Sequence, residues 1–316
     1  MSREIVEAAE SILDKPVQVL DHGFVTLVEY MGGDASIVKA ARNCVGITDE
    51  VRTREEDVSL IRYLLRNKHT SPFEFVEMIF HMKMPVFVAR QMIRHRTASV
   101  SEASARYSPV KEEFYIPDKH HINFQSALNN QGGMWVAPEE IQHRFQEIEE
   151  YLARASFEAY NTFIGKEPSV QILEKDVFDG LVTSGGIARE TARIMLPLAM
   201  YTSWYWKMDL HNLMHLLKLR MDSHAQSEIR EYANIMFTMA KKVAPITMEA
   251  FEDFELFSMT LTKDDIAAIT SLRNHAKKGT DDDDVLKRFK TRREKAEFLE
   301  KITELGLLDL LYAKHP

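Results

Sequence analysis

The stretch Arg94-His95-Arg96-Thr97-Ala98-Ser99-Val100-Ser101-Glu102-Ala103-Ser104-Ala105-Arg106-Tyr107 gathers three arginines, a histidine, three serines and a glutamate. Guanidinium forks suit phosphate and carboxylate oxygens bidentately, and the small residues between them let hydroxyls and backbone N–H groups approach an anion. The same pattern also describes a helix C-terminus whose cations offset the dipole, followed by a solvated loop. A second concentration is DLHNLMHLLKLRMDSHAQSEIR, residues 209–230. His211 and His215 are one helical turn apart, a spacing open to two metal ligands. No Glu follows His211 as HExxH requires, so a third ligand would come from Asp209, His224 or Glu228. Paired histidines on an amphipathic helix more commonly make surface or core hydrogen bonds. Arg220, and Arg193 in ETARIMLP, sit among apolar residues. A buried arginine demands an anionic partner, so two of them would mark a multiply charged ligand.

These residues need elements to position them. VQVL and FVTLVEYM, joined by Asp21-His22-Gly23, predict a hairpin. Asp34 is placed to cap a helix through Arg42, and Thr53 with Glu56 predicts a capping box for a helix ending near His69. From Phe75 to Met84 apolar residues alternate, which predicts a strand; Pro85 then suits the first position of a helix carrying Gln91, Arg94 and His95 on one face. A short strand is expected at Phe114–Ile116, and residues 117–137 read as a surface excursion. Pro138 opens a long helix whose Ile141, Phe145, Ile148, Leu152, Ala155 and Ala159 form a stripe facing a core or another helix. Further helices are expected around 169–183 and at Arg189–Arg193. Leu198–Lys207 reads as a buried strand, Asp209 as the cap of a helix to Arg220, and Ser223 with Gln226 as a capping box for a helix to Lys242. Residues 261–316 are densely charged and read as a solvated helical extension, with a Thr291-x-x-Glu294 start signal.

Composition limits the partners. The chain has 316 residues and a formal charge of -8, with no overall field to draw in DNA or RNA, so any anion must be held by local clusters. Cys44 is the single cysteine. It excludes an internal disulfide or a multi-cysteine metal site, suggests a reducing compartment such as the cytoplasm, and reads as a small buried hydrophobe. The sixteen methionines read as adaptable core filling. A charged N-terminal stretch and the lack of long apolar runs argue against secretion or membrane insertion. There is no GxGxxG and no Walker sequence, so a bound nucleotide would be held by side chains.

RHR followed by seven residues and Ser104 resembles the signature of the flavin-dependent thymidylate synthases. HTSPFEF at 69–75, PVFVARQMIRHR at 85–96, EFYIP at 113–117, ETARIMLPL at 190–198 and LRMDSHAQSEIR at 219–230 also look like family segments, in family order. The resemblance implies an α+β fold, with an antiparallel or mixed sheet core flanked by long helices. It divides the chain into an N-terminal segment, 1–16, a catalytic domain, 17–260, and an added helical extension, 261–316. It also implies a homotetramer with active sites shared between subunits, acting on small molecules and not on nucleic acid or membrane. The implied reaction is reductive methylation of dUMP to dTMP, with carbon from methylenetetrahydrofolate and FAD reduced by NADPH.

The implied dUMP positions are Gln91, Met92, Ile93, Arg94, Glu102, Ala103, Ser104, Ala105, Arg106, Arg193 and Arg220. Arg220 is the implied catalytic residue, favouring ionisation at N3 and so a more nucleophilic C5. The implied flavin positions are Ser71, Glu74, Arg94, His95, Arg96, Glu102, Asp209, Leu210, His211 and His215; no metal is assigned. The chain departs from the family pattern where Asp209-Leu210-His211 replaces Asn-x-Arg, where Ser101 replaces Asn, and where Cys44 replaces Ser. By this resemblance no cysteine attacks the base, and Ser104 is a ligand and not a nucleophile. Two competing readings remain: a metal-dependent hydrolase built on His211 and His215, and a non-catalytic nucleotide-binding protein.

Overall fold

The computed structural model describes residues 4–46, 53–126, 133–278, 283–289 and 291–312. Two compact units are present, 1–256 and 257–316. The first opens with a short helix, α1 (Glu7–Glu10), and the expected hairpin, β1 (Val17–Val19) and β2 (Gly23–Met31), paired antiparallel. Gly23 is required there. A Cβ would collide with the Tyr232 hydroxyl and with the Val19 and Lys83 carbonyls.

Helices α2 (Asp34–Asn43) and α3 (Arg54–Arg66) follow, the latter with the predicted Thr53/Glu56 capping box. Alternation then produces β3 (Glu77–Pro85), with Met78, Phe80, Met82 and Met84 fully buried on one face. Pro85 ends that strand and is the N-cap of α4 (Val86–Met92), so the helix starts one residue later than expected and stops short of Arg94 and His95, which follow it in a turn. The serine-rich segment is an edge strand, β4 (Ser99–Glu102), because Trp204–Lys207 offer it a ladder. The excursion includes a two-stranded ribbon, β5 (Asn123–Gln125) and β6 (Gly133–Val136), while 127–132 lie outside the described residues. Helices α5 (Glu139–Phe163), α6 (Lys175–Thr183) and α7 (Arg189–Ala192) lead to β7 (Tyr201–Asp209). Then come α8 (Leu210–Arg220), α9 (Ser227–Val243) and α10 (Pro245–Phe251).

The five-stranded sheet has the order β1-β2-β3-β7-β4, and every pairing in it is antiparallel. Its centre is the β3/β7 ladder, which sets Met78 opposite Met208, Phe80 opposite Trp206 and Met82 opposite Trp204. These side chains share one core with Leu213, Leu216 and Leu217 of α8, Ile229, Ala233 and Met236 of α9, and Met248 of α10. Much of that core is methionine, as expected of an adaptable filler.

Five local expectations are corrected. Asp34 does not cap its own helix, whose N-cap is Gly33. Its carboxylate accepts hydrogen bonds from Ile246 N–H at 2.8 Å, Thr247 N–H at 3.0 Å and the Thr247 hydroxyl at 2.7 Å, and so caps α10. Ser223 and Gln226 make no capping box; α9 starts at Ser227, with no side-chain cap. Phe114–Ile116 contributes only a single bridge, Phe114 to Met200. On α5 the apolar stripe is not covered by the chain: Ile141, Phe145, Ile148 and Leu152 are exposed, and Ala153, Phe157 and Tyr160 face inward. Cys44 is exposed rather than buried.

We expect Asp34→Ala to cost about 2 kcal/mol, since it strips the cap and leaves part-buried donors of α10 unpaired. Urea unfolding followed by circular dichroism measures it.

The second unit comprises α11 (Lys263–Lys278), α12 (Asp283–Leu286), α13 (Arg292–Glu304) and α14 (Leu308–Tyr312). The predicted Thr291/Glu294 capping box is present. The apolar residues that looked scattered form a small core of Ala268, Leu272, Val285, Phe289, Phe298, Ile302 and Leu311. Helical spacing gathers them, so this segment is more than a solvated extension.

Candidate active site

Two helices spring from opposite ends of the central ladder. β3 runs into α4 at Pro85, which pairs with Tyr201 at the start of β7; β7 runs into α8 at Asp209, which pairs with Glu77 at the start of β3. At about 1.5 Å per residue, the 7 residues of α4 and the 11 of α8 together nearly match the length of a nine-residue strand. Their C-terminal ends therefore meet. Arg220 Nε donates to His95 Nε2 at 3.0 Å, and Arg220 Nη2 reaches the Gln91 carbonyl at 3.5 Å. Two helix ends with their partial negative charge favour a cation at this point.

Accepting from Arg220 requires a neutral His95 with its hydrogen on Nδ1. Burial, then Arg220 and His215, push its pKa down to about 4. The imidazole is thus neutral at physiological pH. Because the folded value lies below the ordinary value of 6.5, the unfolded chain binds the proton more readily between these limits. Stability from this group is complete above about pH 6.5 and is lost as pH falls toward 4. We expect urea unfolding at pH 5 and 7.5 to differ by less in His95→Gln than in the unsubstituted protein. Equal differences would show that His95 titrates normally.

Arg220 itself is half-buried, and burial lowers its pKa. Among the described residues no carboxylate pairs with it, nor with Arg94, Arg96 or Arg193. Arg94, Arg96 and Arg193 are exposed, so the expectation that Arg193 is embedded in apolar surroundings is corrected; neighbouring Ile194 and Leu198 are exposed as well. Arg106 donates to the Tyr107 hydroxyl, and Glu102 accepts from Thr202.

Beside Arg220 lies a cavity of about 780 Å³, within the usual size of a ligand site. Gln91, Arg220 and the Asp222–Arg230 segment line one part, and His121, Asn123 and Gln125 of the excursion line another. Of the sequence candidates, this cavity brings together Gln91 and Arg220. Met92 is fully buried, and Ile93, Ala103, Ser104, Ala105 and Arg106 do not line it. Sequence reasoning missed Gln226, whose side-chain carbonyl accepts from Gln91 Nε2 at 2.5 Å, and the excursion residues. Gln226 lies inside the 219–230 segment that resembles the family, but its spacing from Ser223 also suits a capping box. Nothing periodic marked the excursion.

A second cavity, of about 220 Å³, is lined by His69, His211, Met214 and His215 among others. Ser71 and Glu74, on the adjoining turn, are exposed. Asp209 accepts from Asn212 N–H at 2.9 Å and from Asn212 Nδ2 at 2.7 Å, so both of its oxygens serve the α8 cap. Leu210 is fully buried, with its N–H given to the Val76 carbonyl. His211 and His215 have no third metal ligand within reach among the described residues, which removes the basis of the hydrolase reading. Cys44 lines neither cavity.

This sequence and fold match a known class. A family model described as thymidylate synthase complementing protein covers residues 26–246. The chain belongs to the flavin-dependent thymidylate synthase family. It is 47% identical over 261 residues to the flavin-dependent thymidylate synthase of Treponema denticola, covering 82% of this chain and 90% of that protein. It is 45% identical to that of Gluconobacter oxydans, covering 83% of this chain and 80% of the relative. Among solved structures, a UMP/dUMP methylase, PolB from Streptomyces cacaoi bound with 5-Br dUMP, superposes with a TM-score of 0.64 at 32% identity. It covers 77% of this chain and all of that one.

Proposed function

We propose that this protein methylates dUMP to dTMP, taking the carbon from methylenetetrahydrofolate and reducing equivalents from NADPH through FAD. The observation that carries the reading is Arg220, a guanidinium without a carboxylate partner among the described residues, fixed by His95 and the Gln91 carbonyl beside a nucleotide-sized cavity. A fixed cation at the pyrimidine edge favours negative charge on the ring and so on C5, the carbon that gains the methyl group. Neutral His95 serves this by orienting the guanidinium without adding a second positive charge. Gln226 holds the Gln91 side chain, and Gln91 offers its amide to the same cavity. Cys44, the single cysteine, lines neither cavity of the chain, in keeping with a route in which no thiol attacks C6.

The donor set suits FAD. Arg94 and Arg96 are exposed cations flanking His95, fitted to a diphosphate, and His211 and His215 border the second cavity. The chemistry the flavin supplies when bound is hydride donation. A cavity of about 220 Å³ is below the usual ligand-site range, so one chain holds only part of such a cofactor. This favours sites completed by a second subunit in a homotetramer, and the uncovered stripe of α5 is a surface such an assembly would use. Among the described residues no helix is long and apolar enough to cross a membrane; we place the enzyme in the cytoplasm.

Purified protein should be yellow and should form dTMP from dUMP with NADPH and methylenetetrahydrofolate. A preparation that binds dUMP yet cannot be reconstituted with FAD would instead support the non-catalytic nucleotide-binding reading.

A further inference from the structure

The excursion carries a cluster that the nucleotide chemistry does not use. His120, His121 and Glu231 place two imidazole nitrogens and a carboxylate oxygen within 4.8 Å of one another. We propose that these three residues bind one zinc-type divalent cation, joining the excursion to helix α9 beside the large cavity. Two histidines and a glutamate, with a fourth position left for water, are a recurrent zinc set. Ligand atoms around one such ion are about 3.3 Å apart, so the exposed His120 needs to close in by at most about 1.5 Å, within reach of a side-chain rotation.

The second layer around His121 selects the nitrogen that binds. The Tyr115 hydroxyl donates to Glu228 Oε1 at 3.3 Å, and Ser227 donates to the other Glu228 oxygen at 3.2 Å. The Tyr115 oxygen also lies 2.9 Å from His121 Nδ1, and when it accepts there the His121 hydrogen sits on Nδ1 and Nε2 is open to a metal. In that tautomer Nε2 faces Glu231 Oε1 at 3.2 Å as a second acceptor, and a divalent cation between the two satisfies both. The His121 side chain is only 7% exposed, so water satisfies this pair poorly. A histidine oriented through a tyrosine hydroxyl, with its other nitrogen beside a carboxylate, has the kind of support that zinc ligands use. The His120 ring lies 4.0 Å from that of His121, close enough to contribute the third ligand. The paired histidines that spacing alone highlighted, His211 and His215, lack any such support.

The test is a zinc titration of the full-length protein carrying Cys44→Ser, to remove the exposed thiol, in competition with a colorimetric chelator. One zinc per chain is expected. His120→Ala and Glu231→Gln should each weaken binding at least about 10- to 100-fold, Tyr115→Phe about 10-fold, and His143→Ala, on the exposed face of α5, not at all. His120 is exposed, so its removal leaves the core intact and the comparison meaningful. Less than half a zinc per chain, or equal affinity in His120→Ala, would overturn the proposal. The readout uses neither flavin nor nucleotide, so it stands apart from the enzyme reading.

Discussion

Arg220→Ala should lower kcat by roughly 10²- to 10³-fold while keeping the fold and the flavin content. The residue closes α8 and is half-buried, and its guanidinium bonds to His95 and the Gln91 carbonyl. Its loss therefore removes a charge from the cavity without opening a void. Arg220→Lys should remain far below the original rate, because an ammonium cannot hold His95 and the pyrimidine edge at once in a planar fork. The measurement is steady-state dTMP formation beside the visible spectrum of each variant. Near-normal turnover in Arg220→Ala would remove the assigned role, and loss of flavin would move the residue to cofactor binding.

Trp206→Ala should have the largest effect on stability, about 3–5 kcal/mol. Trp206 is 1% exposed, lies opposite Phe80 in the central ladder and stacks on Trp204 with ring centroids 5.6 Å apart. Three residues further on, β7 ends at the Asp209 cap, from which α8 carries Arg220 to the cavity. A void under Trp206 thus loosens the root of the catalytic helix as well as the core. Guanidinium unfolding should show an earlier midpoint, and turnover at moderate temperature should fall more than flavin binding does. An unchanged midpoint would mean that the surrounding methionines refill the space.

The β3 pattern was legible because period-two alternation survives in a half-covered strand, and the Asp209 cap was legible because a carboxylate ahead of an apolar helix has few other uses. Both lie on the path to Arg220, so the centre of the site could be read. Asp34 shows where such reading stops. Its type signals a cap, but its partner helix lies 212 positions away, and nothing local distinguishes that helix from the adjacent one. The Ser99–Glu102 strand was hidden for a related reason: its four residues are exposed, and only the presence of the β7 edge gives them an extended form. The α5 stripe was correctly periodic, but periodicity does not say what covers it. His121 and Gln226 escaped because their importance lies in contacts between segments that carry no pattern of their own.

The central ladder also sets a timetable for synthesis. His81 of β3 meets Ser203 of β7 across 122 positions. At ribosomal rates of about 5–20 residues per second, β3 waits roughly 6–24 s with one hydrogen-bonding edge and a row of apolar side chains unpaired. An uncovered edge of this kind invites pairing with neighbouring nascent chains. Production of this protein should therefore respond to slower translation and to chaperone supply more than its final stability would suggest, since the vulnerable interval ends only when the tryptophan strand arrives.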